Sequence, residues 1–362
     1  RRAPRTSAAT GTSAAGIRAL SQQFVAFYFR APVKAFFRTR VDYLAYARAI
    51  NPRFHAPNAK WSIRTTTAGL LAHAVQEEGW GVLHRQVLPP LLANVSVGAV
   101  LYTSYLQTLG LLHEPSSRTT KRVYPPPTAT DVFTAGAIGG GISCLFAAPL
   151  DAIQARFKTS EILEGRHRSM WAYSRQKLVA IGFFGVFAGF GLSLARDALG
   201  YGAFFTAFEV TKNQAYYAFL ERFYGGESAI GDTHGDEPEK VIRPHYILDP
   251  AFLLLAGAAA TALQQTVVHP IAQIQLVHYN RLESIDFGAA VDSKHPASTI
   301  KMMRLYYHAY AKTFEQCSRQ AQRVGGWRRW LYLNFWGTTI RQVPSSSAGL
   351  IMFEIFRRRF AD

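Results

Sequence analysis

Apolar positions along the chain collect into six long runs, near residues 16–40, 88–112, 130–157, 188–216, 248–280 and 336–357. Each approaches the roughly 20 apolar residues that a helix needs to cross a hydrocarbon core. Three or four are strong by hydropathy. Gly, Pro or a lone charge interrupts the others, which a helical bundle tolerates because neighbouring helices cover the freed backbone groups. Polar stretches separate the runs, among them "HEPSSRTTKRVYPPPT" and the acidic, Gly-rich "GGESAIGDTHGDEPEK". The pattern predicts an all-α membrane protein with six transmembrane helices.

The runs repeat in pairs. The odd ones share a proline followed by polar positions: "RAPVKAFF" with Pro32, "AAPLDAIQAR" with Pro149 and "VHPIAQIQL" with Pro270. Each of these prolines is expected to kink its helix. The even ones follow a glycine cue and end on an aromatic. Gly79 precedes Tyr105 by 26 residues, Gly182 precedes Phe208 by 26, and Gly326 precedes Phe353 by 27. Three copies of a two-span unit follow, with repeats at 16–112, 130–220 and 247–362. A basic tail (1–15), a linker (113–129) and an acidic loop (221–246) complete the division. The insertion "SIDFGAAVDSKHPASTI" lengthens the third repeat and reads as a partner-binding loop or as tolerated slack.

Composition narrows the classes. Charged residues are only 17% of the chain, below the roughly 25% of soluble proteins, which supports the membrane assignment. The net charge of +17 favours an anionic partner, and without a nucleic-acid motif that partner is a lipid surface rather than nucleic acid. No acidic residue precedes Asp42, while Arg, Ser and Ala are plentiful, as in a transit peptide or a plain basic tail. Cys144 and Cys317 lie in no nucleophile or metal motif and read as packing residues. His73, His84, His269 and His278 lack metal-ligand spacing. The chain is therefore expected to be no enzyme and to need no cofactor or metal.

These motifs resemble the mitochondrial carrier family over nearly the whole chain. The family's repeat carries Pro-x-acid-x-x-basic on the odd helix and aromatic-acid-x-x-basic on the even one. Pro149, Asp151 and Arg156 match the first element; Phe208, Glu209 and Lys212, and Phe353, Glu354 and Arg357, match the second. The resemblance implies a threefold pseudosymmetric bundle around a central cavity, multi-pass in the mitochondrial inner membrane, working by alternating access. It also implies a matrix gate and a cytoplasmic gate of ion pairs. Bound cardiolipin is expected at short surface helices begun by "EEGWG", "AIGFF" and "GGWRR", with Trp80, Trp327 and Trp330 as interfacial anchors.

By that pattern the matrix gate pairs Lys34 with Gln154, Asp151 with Gln275, and Ala272 with Phe37; none is an ion pair. The cytoplasmic gate pairs Leu106 with Lys212, Glu209 with Arg357, and Leu109 with Glu354. Substrate contacts implied by the family fall at Ala93 with neighbouring Asn94, at Arg196 with neighbouring Asp197, and at Arg341. Two readings of the charged positions stand. In one, Arg196 and Arg341 hold a carboxylate and Asp197 an ammonium, as for an amino-acid or acyl-carnitine substrate. In the other, Arg196 and Asp197 neutralise each other and Arg341 snorkels to an interface. Function divides the same way: a carrier of a small carboxylate-bearing metabolite, or a carrier fold without transport that serves as a subunit or scaffold of a membrane complex.

Overall fold

The structure, a computed structural model, describes residues 44–51, 67–114, 116, 126–155, 169–224, 248–291, 299–340 and 342–343. Every regular element among them is helical. In chain order these are α1 (Ala45–Ala49), α2 (Thr67–Glu78), α3 (Leu88–Leu112), α4 (Ala129–Ala155), α5 (Met170–Val186), α6 (Phe190–Glu209), α7 (Tyr216–Tyr224), α8 (Leu248–Val291), α9 (Thr299–Val324) and α10 (Trp327–Leu331).

Three stretches are long and apolar enough to cross a membrane: Leu83–Leu112, Ala129–Ala155 and Ala251–Gly288. A fourth is possible if Met170–Val186 and Phe190–Phe223, bent by 78° at the break between them, count together. The expected spans at 88–112 and 130–157 match α3 and α4 within two residues. The span expected at 188–216 is α6 together with a π-helical turn at Val210–Ala215. Those expected at 16–40 and, for the most part, 336–357 lie outside the described residues.

Local sequence explains several boundaries. Pro89 and Pro90 occupy the first turn of α3, where a missing N–H costs little, and a π-helical turn at Leu83–Val87 leads into them. Ser169 caps α5 by accepting from the Ala172 N–H at 3.3 Å. Pro149 and Pro270 both lie inside continuous helices. The helix therefore runs on past each proline, although the proline supplies no N–H to the turn before it.

Helix packing depends on glycine. A Cβ at Gly136 would sit 2.8 Å from the Tyr201 carbonyl oxygen, and one at Gly140 would sit 2.5 Å from that of Asp197. A Cβ at Gly139, facing the other way, would sit 3.1 Å from the Tyr105 nitrogen. Helix α4 is thus wedged between α3 and α6 at near-backbone contact, the arrangement that small residues permit in lipid, where burial of apolar surface gives little drive. At the outer end of this wedge Leu101, Tyr102, Tyr105, Val132, Phe204, Phe205 and Phe208 form a core, with Tyr105 stacked on Phe205 at 3.7 Å.

The three glycines of the sequence cues share a positive φ. Gly79, Gly182 and Gly326 have φ of 77°, 64° and 116°. No atom lies within 4 Å of a Cβ placed on any of them, so conformation rather than space requires glycine there. Gly182 (ψ −178°) and Gly326 (ψ 165°) occupy a region open almost solely to glycine. A helical stretch follows each one; after Gly326 it is α10, as the cue "GGWRR" predicts.

One sequence expectation is corrected. The first half of the third-repeat insertion is helix, not loop: α8 runs 44 residues to Val291, and α9 begins at Thr299. Residues of α8 beyond the bundle keep helical form because α9 packs on them. Tyr306 donates to Asp286 at 2.6 Å, and Leu282 is buried with Tyr306 and Ala309. At 1.5 Å per residue α8 is about 66 Å long, about twice a hydrocarbon core.

Candidate functional site

Helices α4, α6 and α8 meet at a buried polar cluster. Spacing of three and four on α6 puts Ser193, Arg196 and Asp197 on one face, and spacing of four on α8 aligns Gln275 with Tyr279. On α4 the face that carries Gly136 and Gly140 also carries Asp151. Arg196 and Asp197 are each 5% exposed, Asp151 8%, Ser193 2% and Gln275 fully buried, so the cluster is withdrawn from bulk solvent.

Arg196 occupies its centre. Its Nε donates to Asp197 Oδ1 at 2.7 Å and its Nη1 to Gln275 Oε1 at 2.8 Å. Its Nη2 lies 2.6 Å from Asp197 Oδ1 and 3.7 Å from Asp151 Oδ2. Ser193 donates to Asp151 Oδ2 at 3.1 Å, while Gln275 Nε2 donates to Ser193 Oγ at 2.6 Å and to the Tyr279 hydroxyl at 2.5 Å. Guanidinium, two carboxylates, amide and two hydroxyls thus link three helices. Removing any one partner takes a hydrogen bond or ion contact from another buried polar group.

A cavity of about 10 Å³, room for roughly one water, lies against this cluster, lined by Ala148, Asp151, Ala152, Ser193, Tyr279 and Leu282 among others. Its walls are helices α4, α5, α6 and α8.

The expected residues fall as follows. Asp151 and Gln275, the anticipated matrix-gate pair, belong to the same cluster but are connected there through Ser193 and Arg196. Gln154 Oε1 is buried without a hydrogen-bond partner among the described residues; its expected partner Lys34 lies outside them, as do Pro32, Phe37 and Arg156. Ala272 is half-buried on α8. Asn94 is buried on α3 and Ala93 half-buried. Arg341, Glu354 and Arg357 lie outside the described residues.

Of the residues expected at a cytoplasmic gate, Glu209 and Lys212 are both buried and 4.0 Å apart within one turn. Asn213 donates to Glu209 Oε2 at 2.8 Å, and the Lys212 ammonium sits 5.7 Å over the Phe208 ring. A π-helical turn begins directly after Glu209 and carries Lys212. This widening brings Lys212 and Asn213 back onto the acid of their own helix.

Sequence reasoning missed Ser193 and Tyr279. The available signal was register: Ser193 lies three residues before Arg196, and Tyr279 four after Gln275. Two of the histidines tie helices and turns together. His278 bonds Thr313 Oγ1 at 2.9 Å and the Ala188 carbonyl at 3.3 Å, and His269 bonds the Leu333 carbonyl at 3.0 Å. Cys144 and Cys317 are free and buried.

Comparisons bear on what this geometry serves. Residues 126–218 match the family model described as mitochondrial carrier protein. The chain is similar to mitochondrial thiamine pyrophosphate carrier 1 of Pyricularia oryzae, 24% identical over 80% of this chain and 74% of the relative. The protein of that name from Chaetomium globosum is 30% identical over 46% of this chain and 49% of its own length. The one from Neurospora crassa is 27% identical over 45% and 48%. In the latter two matches the chain spans about half the relative's length.

Proposed function

We propose, from the premise that this chain belongs to the mitochondrial carrier family and lies multi-pass in the mitochondrial inner membrane, that it moves a small metabolite carrying both an anionic and a cationic group. The carrying observation is the buried Arg196–Asp197 pair, in contact with groups from two other helices. An ionised pair at membrane depth is expensive, and such groups usually serve binding or translocation. Arg196 suits a carboxylate or phosphate oxygen pair, and Asp197 an ammonium or other cation.

Among the described residues the cluster holds groups of both signs, Asp151 and Asp197 beside Arg196, which supports a two-signed substrate over a simple anion. Amino acids and acyl-carnitines carry both signs. So does thiamine pyrophosphate, for which the relatives are named. Alternating access follows if substrate groups replace the contacts that Arg196 and Asp197 make with each other, because a ligand shifts an equilibrium only through differential contacts.

The test is uptake into cardiolipin-containing liposomes from a panel of labelled amino acids, carnitine esters, thiamine pyrophosphate, keto acids and nucleotides. Uptake confined to compounds of both signs is expected. Absence of uptake above empty liposomes for every compound would overturn the reading.

A second reading, a carrier fold without transport inside a larger membrane complex, is favoured by one observation: both charges of the central pair are already satisfied within the chain. Migration with other subunits on native gels, together with no uptake, is its signature.

A further inference from the structure

We infer that the exposed side of helix α9 is a docking surface for an acidic amphipathic helix of a partner protein, whether or not the chain transports. Helix α9 runs back along the part of α8 that outreaches the bundle. One of its faces is spent on that packing: Tyr306 and Ala309 lie against Leu282, Thr313 bonds His278, and Cys317 is buried with Val277. The next row around the helix is apolar and bare. Ile300, Met303, Tyr307 and Phe314 recur at spacings that keep them on one face, and all are exposed, Ile300 by 74% and Tyr307 by 77%. The row beyond is basic, with Lys301, Arg304, Lys312, Arg319 and Arg323 all exposed. Arg319 pairs with Glu315 on the same helix. Among the described residues Lys301, Arg304, Lys312 and Arg323 enter no ion pair.

Height and charge together select the occupant. Between Ala256 in the outer core and Gln275 in the polar cluster, α8 rises about 28 Å, one hydrocarbon thickness. Residues 276–291 continue about 24 Å past the cluster. Tyr306 meets α8 at Asp286, and Ile300 and Met303 precede it on α9. The apolar row therefore begins about 16 Å beyond the cluster, and a bilayer around the bundle reaches only its near end. A bare apolar row in water marks a protein interface. The cations beside it favour an acidic partner and set two copies of this row against each other. The acidic segment of this chain, 225–247, joins α7 to α8 at Leu248. That point is about 44 Å along α8 from Val277, on the other side of the membrane. A helix with apolar residues at the same three-and-four spacing, and Asp or Glu on the flank toward the cations, matches both rows.

The probe is a synthetic helical peptide with Leu at that spacing and Glu along one flank, labelled for anisotropy. Its controls are a scrambled order of the same residues and a version with Lys for Glu. Detergent-purified full chain should bind the acidic peptide at least about tenfold more tightly than either control, a margin that several charge pairs supply together. Combining Lys301→Glu, Arg304→Glu and Lys312→Glu should weaken that binding about tenfold, the joint effect of three exposed pairs. The triple variant should then prefer the Lys peptide, with thermal unfolding unchanged. To site the contact, Tyr307→Cys carries an environment-sensitive dye, its exposed thiol reacting while Cys144 and Cys317 stay buried. The acidic peptide should shift the dye emission to the blue.

No preference for the acidic peptide, or a triple variant that binds as the parent does, would overturn the docking surface. Three outcomes without peptide would replace the occupant and so overturn the proposal too. A blue shift on adding cardiolipin to phosphatidylcholine vesicles would assign the row to lipid. A shift that grows with protein concentration would assign it to a second copy. A red shift on neutralising the acids of 225–247 would assign it to the chain itself.

Discussion

At the scale of single residues, the site rests on pairing rather than on isolated charge. Arg196 is buried with two carboxylates around it, and in such a setting losing one partner matters more than the net worth of the pair. Asp197→Asn keeps the shape and leaves Arg196 with Asp151. We expect it to fold, to lose about 1–3 kcal/mol of stability, and to transport a two-signed substrate at least tenfold more slowly by losing the cation contact. Thermal unfolding and uptake of one labelled substrate check the two effects. Glycine substitutions separate space from conformation. Gly140→Ala drives a methyl into the Asp197 backbone and should cost about 1–3 kcal/mol through overpacking. Gly182→Ala meets no atom but must occupy a backbone region costing about 1–3 kcal/mol. Thermal unfolding of both variants should show similar losses, and a Gly182→Ala protein as stable as the parent would contradict the conformational argument.

At the scale of elements, the helices α3, α4 and α6 were legible to within a few residues, because long apolar runs with prolines or polar flanks leave little choice of state. The glycine cues Gly79, Gly182 and Gly326, read from the sequence, all adopt positive φ, as does Gly325. The reach of α8 was not legible. "SIDFGAAVDSKHPASTI" carries Gly, Pro and Asp, which read as a loop, yet packing against α9 holds its first half in the helix. Tertiary contact overrides local propensity there. The same α8–α9 packing buries Cys317, and burial raises its thiol pKa. A raised value keeps the neutral thiol at and above neutral pH, so the stabilising effect of burial persists until pH climbs past the ordinary thiol range and then fades. Native protein at pH 7–8 should therefore alkylate at Cys317 at least tenfold more slowly than detergent-denatured protein, since only thiolate reacts. Equal rates would mean that α9 does not stay docked.

At the scale of the whole molecule, the sequence named the candidate residues, and the structure joins them through Ser193 and Tyr279 as well. Asp151 and Gln275 were expected to face each other as a weakened gate pair, and Arg196 with Asp197 as a separate substrate contact. Spacing along each helix placed all four on inward faces. It could not show that the Arg196 side chain spans from α6 to both neighbours, since that reach depends on the close α4–α6 approach made by Gly136 and Gly140. The candidate gate and contact residues thereby share one cluster, with Arg196 at its centre. The most direct test is the initial rate of uptake of a two-signed substrate by parent and Arg196→Ala proteins, reconstituted side by side in cardiolipin liposomes. A loss of about tenfold or more is predicted, because the anion contact disappears. Equal rates in the two proteins would contradict the account.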